Sequence, residues 1–241
     1  RDTIEAATGV PCLFLQGASG ELGPVEGFVG DTKVADRNGR QLAHAALSAL
    51  EALPAPDTRF VYTGPVVSGA TLGEWKHTGL PADTTEANAR WQLHRDTINL
   101  PIRPGTPTAE QVTAELAEWE TKDTSDARAM AERKRRLLHR LKQLPPGDEF
   151  PLESIVLKIG GAVWVILQGE FYSILQTTLR TRFPETPLVI ATIASHWGAS
   201  YLPPRELYGK GIYQETIAIT APGSLETVIE TVGKKIEALL Q

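Results

Sequence analysis

One cysteine and one methionine are all the sulfur carried by this chain of 241 residues. A lone cysteine excludes an intrachain disulfide framework and a CxxC zinc site. Cys12 lies in an apolar run, which suits a buried structural thiol rather than a nucleophile. No apolar run nears the roughly 18 residues of a membrane-spanning helix, so no transmembrane segment is expected. Positive charge is in short supply too. Lys and Arg number 24 against 29 Asp and Glu, for a net charge of −5. No broad basic surface follows, and no nucleic-acid partner is expected. Familiar catalytic motifs are also missing. Gly17-Ala18-Ser19-Gly20 lacks the spacing of a GxSxG elbow, which argues against a Ser-His-Asp hydrolase. No GxGxxG or Walker loop opens a helix, which argues against nucleotide binding. The five histidines, His44, His77, His94, His139 and His196, form neither HxH nor HExxH.

What is present is the patterning of an ordinary globular chain, 41% hydrophobic and 22% charged. Arg1–Thr8 reads as the end of a helix stopped by Gly9. Val10–Gln16 reads as a buried strand. The loop Gly17–Pro24, with three glycines and a proline in eight residues, lets backbone approach a ligand. Val34–Leu53 has apolar residues at helical spacing (Leu42, Ala46, Ala49, Leu50, Leu53) and predicts an amphipathic helix. Arg59–Val67 predicts a strand turned by Ser68-Gly69. Gly73–Arg90 reads as irregular, and Trp91–Ile102 as a strand. Thr108–Leu144 predicts a helical hairpin. Its run Arg133-Lys134-Arg135-Arg136 reads as a solvated face, with a phosphate or anionic-lipid patch as the alternative.

The strongest short-range signal is Leu152–Ile159 and Ala162–Leu167 around Gly160-Gly161, a β-hairpin. Glu170–Arg182 then predicts a helix, Pro187–Ala194 a strand, and the final apolar stripe a helix capped by Ser224. The expected fold is α/β or α+β: one mixed sheet of roughly six to eight strands flanked by helices. Residues 1–241 read as one domain, with 84–148 as a helical insertion.

Two polar residues follow strands here. Glu170 comes after the first strand of the stretch Val163–Tyr213, and Tyr201 after the second, 31 positions on. In an open α/β sheet, sites form beyond the carboxyl ends of strands, so this order predicts that the two share one rim. Taken alone, Glu170 also reads as a carboxylate at a helix N-terminus, and Tyr201 as a loop aromatic packed on the core.

The stretch resembles the later part of the catalytic domain of the neutral/alkaline, non-lysosomal ceramidase family. Gln168-Gly169-Glu170 is similar to that family's Pro-Gly-Glu-like turn. Tyr201-Leu202-Pro203-Pro204, Tyr208 and Tyr213 are similar to its Gly-Tyr-x-x-Thr/Pro…Tyr…Tyr pattern. The resemblance implies a zinc-dependent hydrolase of an N-acyl (amide) bond, acting on a lipid-like or small substrate of sphingolipid type. It implies Glu170 and Tyr201 as zinc ligands and Tyr213 as the donor to the amide oxygen. Tyr208 reads as packing.

The segment around Phe14–Pro24 resembles the family's Asn-x-Gly-Asp-x-Ser-Pro loop, which implies Gly20 and Gly23 as cleft residues. Gly23 stands where the family has a serine, and that departure leaves a non-catalytic binding or scaffold domain as the alternative. His196, five positions before Tyr201, is a candidate cleft residue. The chain opens on Arg1 with no methionine, so it reads as the later part of a longer protein. The resemblance places two histidine ligands before Arg1, so that an upstream segment would complete the site. Any export signal would lie there too, which leaves the compartment open.

Overall fold

Phe150, Leu152, Ser154 and Val156 alternate with more exposed neighbours, as do Val163, Val165 and Leu167, and this period of two builds the centre of the molecule. The computed structural model describes the chain except Gly69 and residues 195–197, and describes no side chains over 67–71. In chain order the helices are α1 (Asp2–Thr8), α2 (Thr32–Glu51), α3 (Ala82–Ala89), α4 (Ala109–Thr121), α5 (Ala127–Leu141), α6 (Ile174–Arg182), α7 (Tyr213–Ile217) and α8 (Ser224–Leu240). The strands are β1 (Thr58–Ser68), β2 (Ala70–Gly79), β3 (Gln92–Pro101), β4 (Glu149–Ile159), β5 (Ala162–Leu167), β6 (Glu170–Phe171), β7 (Leu188–Ala191) and β8 (Tyr201–Leu202).

The fold class is α+β with a mixed sheet. The central sheet has four strands in the order β3-β4-β5-β7, antiparallel except for the parallel pair β5–β7. The hairpin β4–β5 closes with Ile159 opposite Ala162, as the Gly160-Gly161 pair predicts. Helix α8 covers the sheet. Leu225, Val228, Val232, Ile236 and Leu239 recur at 3–4 spacing and are all buried. Each such side chain contributes on the order of 1.5–3 kcal/mol by leaving water. Arg182 at the end of α6 reaches across to Glu230 at 3.0 Å and Glu237 at 2.8 Å, tying α6 to α8. Helices α4 and α5 form the expected hairpin, opened by a capping box between Thr108 and Gln111. No helix among the described residues is long and apolar enough to cross a membrane.

Several expectations need correction. Among the described residues the strands form a four-stranded sheet and two two-stranded ones, not one sheet of six to eight, because β1–β2 and β6–β8 each pair with each other and not with the central sheet. Val10–Gln16 is not a strand, and Leu13 is 87% exposed. An apolar run needs a ladder partner, and only Gln16, at its end, accepts a bond from the β7 side, from the amide of Thr192 at 2.7 Å. Cys12 is consequently half-buried, its amide held by Glu5 at 2.9 Å.

Helix α2 forms, but Leu42, Leu50 and Leu53 of its expected inner face are exposed. Periodicity decides that a helix can form, not that a surface exists to cover its stripe. Gly73–Arg90 is ordered as the end of β2 and α3. Strand β2 carries no buried face to announce it and is held by backbone pairing and by Trp75, whose ring lies 5.6 Å from those of Phe60 and Tyr62 on β1. At α8 the cap position falls to Gly223, and Ser224 is the first helical residue.

Candidate functional site

Beyond the carboxyl ends of β5 and β7 the chain makes a small second sheet. Strand β6 runs parallel to β8 with Glu170 opposite Tyr201 and Phe171 opposite Leu202. The amide of Glu170 donates to the carbonyl of Ser200 at 2.7 Å. The expected helix from Glu170 therefore starts later. Glu170 and Phe171 are strand, and α6 begins at Ile174. The carboxylate at that helix N-terminus is Glu21, which accepts from the Ser173 amide at 2.9 Å and from the Ser173 hydroxyl. Glu170 is thereby left out of the capping role that the sequence alone allowed it.

Pairing in register brings the two side chains together. The Glu170 carboxylate stands close enough to the Tyr201 phenol to act on it as an acceptor and as a charge. Burial first, then that acceptor and the carboxylate's charge, push the Tyr201 phenol up to about 12; Tyr213 adds to the rise, and Arg140 opposes it. Tyr213, the first residue of α7, sets its ring edge-on to Tyr201 with centroids 5.9 Å apart. Arg140, near the end of α5, donates to the Ser200 hydroxyl at 3.5 Å. A carboxylate, two phenols and a guanidinium thus meet on one rim.

The backbone around this rim is strained. Ile193 has φ 54° and Ser200 φ 63°, in a region that L side chains other than Asn and Asp seldom occupy. Such residues concentrate at sites where surrounding structure enforces them.

Gly20 borders the rim. Its amide donates to Phe171 O at 2.7 Å, and its carbonyl accepts from Gln214 of α7 at 3.3 Å. A Cβ there would stand 3.0 Å from the Glu170 carbonyl, so the glycine permits the loop to lie against β6. Gly23 sits in an exposed stretch beside the Phe28 ring. His196 lies outside the described residues. Among the described residues, no group of three or more His, Cys, Asp and Glu converges as a metal set. Glu170 and Tyr201 bring two oxygens to one rim, and a structural or catalytic zinc site requires further ligands.

Tyr208 is a packing residue, its phenol donating to Thr220 O at 3.0 Å and pushed up to about 12 chiefly by burial. Folded protein holds that proton to about pH 12, whereas an unfolded chain releases it near 10. The neutral phenol therefore stabilises the fold fully below pH 10, and its contribution fades as pH rises to 12. Tyr208→Phe is expected to flatten stability against pH across that window in urea denaturation, while costing about 1 kcal/mol at neutral pH for the lost bond.

Arg140 and Gln214 were not foreseen from the sequence. Nothing in a basic helix marks which arginine faces the rim, and a glutamine at the start of a five-residue helix carries no motif.

Neither a family model nor a curated protein matches the chain. Among solved structures, the crystal structure of neutral ceramidase from Pseudomonas aeruginosa is similar over 60% of this chain, at 15% identity and a TM-score of 0.36. The similar region amounts to 27% of that protein, so this chain spans only a part of it.

Proposed function

We propose that the protein is a zinc-dependent hydrolase of an N-acyl amide bond, of the ceramidase-like kind its sequence resembles. The observation that carries this reading is the parallel pairing that sets Glu170 beside Tyr201, with Tyr213 5.9 Å away from Tyr201. Glu170 and Tyr201 would hold the ion, together with further ligands that the resemblance implies to be histidines. Zinc, when bound, supplies a Lewis acid and lowers the pKa of a bound water to about 7.

The chain's own residues do the rest. To hold the ion, Tyr201 would have to release its phenolic proton. That phenol is raised to about 12, so binding of the ion would strengthen as pH rises. Tyr213 donates a hydrogen bond to the acyl oxygen, where negative charge develops. The loop at Gly20 walls the rim with backbone rather than side chain. The substrate is a small or lipid-like N-acyl compound.

A second reading, a binding domain without catalysis, is favoured by Gly23, which offers no hydroxyl where the resembled family has a serine. Elemental analysis of the full-length protein, purified without chelator, separates the two, combined with a screen of N-acyl amides for release of free amine. One zinc per chain and amine release are expected. A protein free of zinc that leaves every amide intact is the binding domain.

A further inference from the structure

A cleft of about 430 Å³ opens between α5 and α7. Three of its lining residues are Arg133, Arg136 and Arg140, spaced by three and four positions and so on one face of α5. The opposite lip includes Tyr213 and Thr216, and Leu137 and Ile217 supply apolar wall. In a chain of net charge −5, such a concentration of cations is local and not a general surface property.

The surrounding carboxylates account for only part of it. Lys134, also on the wall, is paired with Glu115, and Arg136 with Glu132 at 2.9 Å. Arg133 touches the Met130 sulfur at 3.8 Å, and Arg140 the Ser200 hydroxyl at 3.5 Å. Among the described residues, neither has a carboxylate in ion-pair range. Two guanidinium groups without counter-ions thus flank a partly apolar cleft that ends at Tyr213. Guanidinium presents a planar fork of donors that matches carboxylate and phosphate oxygens two at a time. The solvated helix face expected of the run Arg133–Arg136 holds in that Arg133, Arg135 and Arg136 are exposed, Arg135 pairing with Glu120, whereas Arg140, beyond that run, is half-buried.

We infer that this cleft binds the anionic group, carboxylate or phosphate, of an amphiphilic ligand, with Arg133 and Arg140 as the binding residues. Tyr213 belongs both to the cleft and to the rim of Glu170 and Tyr201. A molecule anchored here by its charge therefore extends its neutral portion toward that rim. On the preceding reading of the rim, on which this step rests, the substrate is an N-acyl compound carrying a carboxylate or phosphate near the acyl bond.

The test is calorimetric titration of the metal-free full chain, at low ionic strength, with hexyl phosphate, hexanoate, inorganic phosphate and hexyltrimethylammonium. One or both amphiphilic anions should bind, and the tighter of the two identifies the group. Inorganic phosphate should bind more weakly than hexyl phosphate, and the cation not at all. A hydrogen bond to a charged group is worth about 1.5–3 kcal/mol, so R133Q and R140Q are each expected to weaken binding at least about tenfold. R128Q, an exposed arginine of α5 outside the cleft, should leave it unchanged.

Lack of binding by the unmodified chain, equal binding of the cation, or equal weakening by R128Q would each overturn the proposal. Because Arg140 is half-buried, R133Q decides alone if R140Q does not fold. Binding is read without metal. Intact anion binding in a protein that takes up no zinc removes the metal reading and leaves the cleft, whereas zinc uptake without anion binding does the reverse.

Discussion

On the proposed zinc-hydrolase reading, Glu170→Gln is expected to abolish zinc binding and amide hydrolysis together. The amide is the same shape as the carboxylate and keeps an acceptor oxygen beside the Tyr201 phenol. The backbone bond to Ser200 is untouched. Stability should therefore change little. What is lost is the negative charge that a divalent cation demands from a hard oxygen ligand. Groups that merely orient metal ligands cost about 10–100-fold in affinity when removed, so a ligand itself should cost more than about a hundredfold. Zinc per chain and amine release should fall together.

Tyr213→Phe gives the contrast. It should retain zinc while kcat drops roughly 10²–10³-fold, the usual cost of one donor to a developing oxyanion. If Glu170→Gln kept both its zinc and its rate, the carboxylate would have no part in the site.

Gly198→Ala should cause the largest loss of stability of any one-carbon change near the rim. Gly198 has φ 68°, in the left-handed region. An added Cβ would stand 2.5 Å from the Gln168 Cβ and 2.6 Å from the Gly169 amide nitrogen. Both obstacles are at or next to backbone and cannot swing aside. The left-handed conformation costs alanine about 1–2 kcal/mol, and overpacking typically adds 1–3 kcal/mol. A total of about 3 kcal/mol lowers the melting temperature by roughly 10 °C in a chain of this size. The clash lies between the end of β5 and the entry to β8, so β8 should shift along β6 and part Tyr201 from Glu170. Zinc content should fall in step with the melting temperature. A variant that melts within about 2 °C of the unmodified protein would show that Gly198 is not what seats β8.

The elements most legible in the sequence were those in which local pattern and burial agree. The hairpin at Gly160-Gly161 and the stripe of α8 alternate at the periods of strand and helix, and both lie on the core. Val10–Gln16 and α2 misled for one reason. Their residues are apolar and correctly spaced, but the short α1 that packs on α2 leaves Leu42, Leu50 and Leu53 exposed, as Leu13 is in the first run, and periodicity carries no information about how much of a stripe a partner covers. Strand β2 failed in the opposite direction, since a hairpin exposed on both faces needs no buried alternation. At the rim, the order strand, acid, helix, strand, tyrosine was enough to anticipate that Glu170 and Tyr201 would be neighbours. It was not enough to show that Glu170 is strand, because a two-residue ladder has no periodicity to read.

By itself the sequence determined the mixed α and β character, the central hairpin, the last helix and the candidacy of Glu170, Tyr201 and Tyr213. Those follow from spacing within short windows, and from a resemblance carried by a few residues. Tertiary structure alone decided that Glu21, and not Glu170, caps α6. It alone decided that Arg140 reaches the rim and that Arg133 and Arg140 stand over a cleft with no carboxylate in ion-pair range among the described residues. Helix α5 displays arginines around its circumference, and only the position of α7 against one side makes two of them a site.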